Sequence, residues 1–313
     1  MLNFNKKGLI CSYQTLDIPW YKKNTMVPIT YLIDDKTLRI FIGMCDSENI
    51  GRIGYVDVNP NNPSEILDYS KNPSLDIGKE GCFDDNGVLP SGILEEDGKL
   101  YMFYSGYQLT KKVPYLIFAG IAVSEDKGKT FTRLSNSPFL DRSNEEYSIR
   151  AAANITRTSN NVYEILYLGG SDWIDKDGHF MPSYNIKYKS LKLNKITDIL
   201  NDFSNPIVAV NIQGSDEFAL AMPQVFIEGN THKMIYSIRL KSKGYRMGYA
   251  ESFDKGKNWQ RMDDKIKIDV SMDGWDSEMI CFGHMQSYKN KTYLFYCGNH
   301  YGMGGMGYAE LIK

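Results

Sequence analysis

Helix signals are almost missing from this chain of 313 residues. One stretch, NKITDILNDF at Asn194–Phe203, reads as a short helix, which leaves an essentially all-β protein. Long apolar runs are missing too, so no membrane partner is expected. The opening MLNFNKKGLICSYQ has two lysines but no signal-peptide core behind them, and cytoplasmic residence is the expectation. Surplus positive charge is lacking: 36 Lys and Arg stand against 38 Asp and Glu, a net −2. That argues against a nucleic-acid partner, whose recognition needs a broad basic surface. The five cysteines are odd in number, scattered and without a C-x-x-C pair. They suggest neither a disulfide framework nor a metal site and read as free buried thiols; no cofactor is indicated.

What is present is a repeat. Hydrophobic residues make up 42% of the chain, enough for a large core. The phrases LRIFIGM, LYMFYSG, YEILYLGG, KMIYSIR and TYLFYCGN alternate apolar residues like half-buried strands. They align on Ile42, Tyr104, Tyr167, Tyr236 and Tyr296, at intervals of roughly 60–70 residues, against the ~40–50 of familiar propeller repeats. A second phrase precedes each one, with pivots at Pro28, Pro90, Ala153, Pro223 and Gly283. Turn residues such as Asp34-Asp35, Asp97-Gly98 and Asn160-Asn161 join the two as hairpins. Two further strands fill most units, as in RMGYAES followed by NWQRM. Four antiparallel strands repeated five times is a five-bladed β-propeller, one domain over residues 1–313. The expected blades span about 24–70, 83–140, 147–195, 215–265 and 276–313, the last completed by a strand from residues 8–14.

Two turns, SEDKGKTF and SFDKGKNW, share the form S-x-D-x-G-x-[TN]-[FW]. This is an Asp-box hairpin; the Lys-Gly-Lys inside it is not a phosphate loop, because no helix follows. In a propeller blade the start of strand one, the end of strand two and the start of strand three share a face. That rule gathers Asp85, Glu217, Asp276 and Glu278 ahead of the inner strands, with Arg150 beside them. It adds Asn154, Gln224 and His284 after the pivots, and Trp173, Arg239, Asn299, Tyr245 and Arg246 from strands two and three. Acids, arginines, amides and aromatics at one mouth suit a polar ligand.

Strings such as YRMGYAESFDKGKNW and GWDSEMICFGHMQSYKNKTYLFYCGN resemble the five-bladed propellers of glycoside hydrolase families 43, 32 and 62 and relatives in family 130. The likeness extends to glycosidase-like propellers of bacterial surface-polysaccharide gene clusters. It implies a carbohydrate-active enzyme, a glycosidase or glycoside phosphorylase, with a sugar or sugar-phosphate ligand and catalytic acids on the inner strands. Carried over by position, those acids are Asp85, Glu217 and Glu278. The chain departs from the pattern in the first unit, where KKNTMVPI has no acid, and in the third, where SIRAAA has Arg150 alone. A non-catalytic carbohydrate-binding propeller, or a transferase acting on a nucleotide- or phospho-sugar, is the alternative.

Overall fold

The computed structural model describes residues 1–176, 178–201 and 206–312. Strands dominate it, in runs of antiparallel neighbours joined by tight turns. Strand β1 (Leu2–Cys11) comes first. The first run is β2 (Lys23–Asp34), β3 (Thr37–Cys45), β4 (Gly51–Asn59) and β5 (Asn62–Tyr69). The second is β6 (Val88–Glu96), β7 (Lys99–Leu109), β8 (Tyr115–Ser124) and β9 (Thr132–Arg133). The third is β10 (Ile149–Ser159), β11 (Val162–Lys176), β12 (His179–Lys192) and β13 (Ile207–Val210). The fourth is β14 (Glu217–Glu228), β15 (Thr231–Leu240), β16 (Arg246–Ser252) and β17 (Gln260–Arg261).

After the short β18 (Ile266–Lys267), the last run is β19 (Cys281–Tyr288), β20 (Lys291–Cys297) and β21 (Met306–Ile312). Strand β1 completes it by pairing antiparallel with β21, Asn3 opposite Ile312 and Cys11 opposite Met306. The strand expected at residues 8–14 is thus longer and begins earlier. The first strands of the runs touch in a closed cycle: β2 to β6, β6 to β10, β10 to β14, β14 to β19 and β19 to β2.

The turns follow from their residues. Asp97 and Gly98 take φ of 52° and 73°, the double left-handed pair a two-residue hairpin needs. The expected helix is a 3-10 turn at Ile196–Asn201; Asp202 and Phe203, its predicted end, lie outside the described residues. The third run reaches Val210, beyond the expected 195, because β13 returns to pair with β12.

The two S-x-D-x-G turns close on themselves. In one, the Asp254 carboxylate accepts from the Asn258 backbone N–H at 2.9 Å, the Asn258 side chain at 2.6 Å and the Ser252 hydroxyl at 2.8 Å. Those donors, the Asn258 side chain first, hold the Asp254 carboxyl down at about 2. Asp254→Ala should therefore lower the melting temperature at pH 7. The deficit should shrink as pH falls from about 4 to about 2, where the native carboxylate takes up its proton and its donors lose their acceptor. Ligand affinity of the folded protein should not change. Tyr245 and Ser252 bracket β16, so roughly 20 Å of extended strand separates the turn from the site described next. Thermal melts across that pH range test this.

Candidate functional site

Every inner strand is bulged at its pivot. The pairing register slips between Met26 and Ile29, Pro90 and Gly92, Ala151 and Asn154, Ala221 and Gln224, and Cys281 and His284. In four of the five, the residue ahead of the pivot has left-handed backbone: Val27 at φ 55°, Ala152 at 52°, Met222 at 50° and Phe282 at 57°. Such angles are costly for side chains with a Cβ and persist only where the surroundings enforce them. Here the neighbouring run does so for three of the four. The Ala152 N–H donates to the Ser105 hydroxyl at 3.0 Å, the Phe282 N–H to the Ser237 hydroxyl at 2.8 Å, and the Val27 N–H to the Cys297 sulfur at 3.2 Å.

The bulges line a cavity of about 600 Å³, joined by residues from all five runs. Val27, Leu89, Ala152, Met222 and Phe282 form one ring of its wall. Tyr107, Tyr115, Tyr184, Tyr245 and Tyr301 supply hydroxyls, and Arg239 supplies a cation. Burial pushes the Tyr115 hydroxyl up to about 12, and pushes Tyr107 and Tyr245 well above their ordinary range, so all three stay protonated donors at neutral pH. Glu48, exposed on the rim, is the one carboxylate among the described lining residues.

Of the residues singled out from sequence, Arg239 and Tyr245 line this cavity. Trp173 is not in the lining but packs on Tyr115 of the wall, ring centroids 5.7 Å apart, edge to face. His284 and Gln224 are in contact at 3.2 Å, and Gln224 also braces the Met285 backbone. Asn154 packs over Gly92 of the neighbouring strand. Asn299 locks a turn, accepting from the Glu278 and Met279 N–H groups. Arg246 pairs with Asp269 and holds three backbone carbonyls, and Arg150 pairs with Glu146.

The expected convergence of acids on the cavity does not occur. Asp85 caps a turn at Gly81. Glu217 is forked by Arg261 at 2.8 and 2.9 Å. Glu278 is 61% exposed, 3.2 Å from His300. None of the three is in the lining.

Asp276 shows what the recurrent acids do instead. It accepts from the Tyr296 hydroxyl at 2.9 Å and pairs with Lys6 at 2.6 Å. Asp84 does the same for Tyr104 and Arg133, Glu146 for Tyr167 and Arg150, and Asp263 for Tyr236 and Arg261. These tyrosines are the aligned residues of the repeat, fully buried, and each hydroxyl needs an acceptor. In the first run the aligned residue is Ile42, which has no hydroxyl. The missing acid of KKNTMVPI is explained by packing.

Tyr115, Tyr184, Tyr301 and the bulge residues escaped the sequence reading. One signal was present: Tyr184 stands three residues before Lys187 as Tyr245 stands three before Gly248, and those two pair with the aligned Tyr167 and Tyr236.

No family model matches the chain. Two Mycobacterium tuberculosis proteins, "Uncharacterized protein Rv1502" of strain H37Rv and "Uncharacterized protein MT1551" of strain CDC 1551, are each 27% identical over 299 residues, covering 94% of this chain and 95% of theirs. Among solved structures, one described as "Glycoside hydrolase" superposes with a TM-score of 0.68 at 16% identity, covering 99% of this chain and 92% of its own. A thermostable family-43 glycoside hydrolase gives 0.67 at 16%, covering 94% and 90%. The catalytic domain of a Coprinopsis cinerea GH62 alpha-L-arabinofuranosidase gives 0.64 at 10%, covering 99% and 96%. The chain has the propeller-like fold of glycoside hydrolases.

Proposed function

We propose that this chain is a single-domain, five-bladed propeller that acts on carbohydrate, with the bulge-lined cavity as its sugar site. The closed cycle of five inner strands supports the blade count. One observation carries the functional reading: all five runs place a bulge on the wall of one cavity, four of them with strained left-handed backbone, on a fold shared with glycoside hydrolases. Backbone strain collected at one place is characteristic of ligand sites, and rings of tyrosine suit the apolar faces and hydroxyls of sugars. A panel of mono- and oligosaccharides should raise the melting temperature, and Met222→Trp, which fills the cavity, should remove the shift. Shifts that survive the filled cavity would locate the sugar elsewhere.

Two carboxylates, one in the lining and one outside it, are the candidates for a catalytic version of the same reading. Glu48 is in the lining, and Glu278 lies beside His300, one residue from Tyr301. If either is the general acid, its Glu→Gln variant should bind sugar normally yet lose turnover of aryl glycosides or glycosyl phosphates by about 10²-fold or more. Binding without turnover in the unaltered protein makes this a carbohydrate-binding propeller.

A further inference from the structure

Arg239 is a buried cation without a counter-charge. It stands one residue before the end of β15, is 7% exposed and reaches the cavity. Arg133, Arg150, Arg246 and Arg261 each hold a carboxylate. Arg239 pairs with none among the described residues. Its Nη2 donates to the Tyr301 hydroxyl at 2.8 Å and lies 3.8 Å from the Met181 sulfur. The rings of Phe218, Tyr245 and Tyr301 stand 4.9, 5.6 and 5.6 Å away.

Aromatic faces offset part of the cost of burying a charge, but an unpaired guanidinium remains expensive. Burial works against its charge, yet a guanidinium keeps its proton in proteins and the group stays cationic. A ligand can supply what the protein withholds. The planar fork matches a carboxylate, and Tyr301, which accepts from Arg239, keeps its own proton free to donate. Charge balance narrows the choice. Arg239 is the one cation among the described lining residues, so a singly charged anion neutralises it. A phosphate monoester, carrying close to two negative charges, would leave an excess buried among apolar groups.

We propose that Arg239 anchors the carboxylate of an acidic sugar in the cavity, with Tyr301 as second donor. This rests on the cavity being a sugar site. The test compares glucuronate, galacturonate and N-acetylneuraminate with glucose, galactose and glucose 1-phosphate, by thermal shift and calorimetry. At least one acidic sugar should bind tenfold or more tighter than its neutral counterpart and than the phosphate. Arg239→Met should erase that preference, and Tyr301→Phe should reduce it. If Arg239→Met does not fold, Arg239→Lys serves, since it keeps the charge but loses the fork. Equal binding of neutral and acidic sugars overturns the inference and leaves the sugar site standing. Tight binding of the phosphate alone overturns the carboxylate assignment. No binding by any probe overturns both.

Discussion

Replacing Asp84 with alanine is expected to destabilise the protein by about 3–5 kcal/mol, the usual cost of removing one partner from a buried ion pair. Asp84 is 0% exposed. One of its oxygens accepts from both the Tyr104 hydroxyl at 3.0 Å and the Arg133 Nε at 2.7 Å. Without it, a buried hydroxyl loses its acceptor and a guanidinium loses its counter-charge. Tyr104→Phe removes one bond and should cost about 1–2 kcal/mol. In that background Asp84→Ala should cost measurably less than alone, because the two residues share one interaction. Urea melts of the four proteins in this cycle give the coupling. A loss below about 1 kcal/mol for Asp84→Ala would mean that the clamp contributes little to stability and that Asp84 needs another role.

The second large effect is with pH. His284 is buried, and burial pushes its imidazole from an ordinary 6.5 down to about 3. The hydrogen-bond chain agrees with a neutral ring. Gln224 Nε2 meets His284 Nε2 at 3.2 Å as donor to acceptor, leaving Nδ1–H to donate to the Thr30 hydroxyl at 3.0 Å, which donates to Gln286 at 2.8 Å. The unfolded chain takes up a proton near pH 6.5; the folded chain does not until about pH 3. Stability from this residue is therefore complete above pH 6.5 and is lost as pH falls towards 3, by about 1.4 kcal/mol per unit. Burial also pushes His232 down, which adds in the same direction. Comparison with His284→Gln isolates the one group: between pH 7 and pH 4.5 the unaltered protein should lose about 3 kcal/mol more than the variant. Parallel losses would show that the native ring is protonated in that range.

The repeat was legible because buried alternation and turn residues are local properties, and Tyr104, Tyr167, Tyr236 and Tyr296 fall at one register in their runs. Arg239 and Tyr245 were legible as cavity residues for the same reason, since strand direction alone decides which end faces the mouth. Asp85, Glu217 and Glu278 fall outside the lining because sequence position cannot tell a carboxylate that faces a cavity from one spent on a turn, an arginine or a histidine. Asp84 and Asp85 are neighbours, and neither enters the cavity. The bulges were hidden for another reason. Val27 and Ala152 have no intrinsic preference for left-handed backbone; the adjoining run holds it through their N–H groups.

Strand β1 has a consequence for how the protein is made. Lys6 and its partner Asp276 are 270 residues apart in sequence, and β21, which pairs with β1 along its length, emerges later still. A nascent chain therefore carries β1 with an open edge until β21 has been made. The ring cannot shut until the ribosome has released the segment containing Met306–Ile312. Closure is then a single long-range event with high contact order, slow by the standards of local hairpins. Until it happens, that first strand is the part of the molecule most open to wrong pairing with other chains.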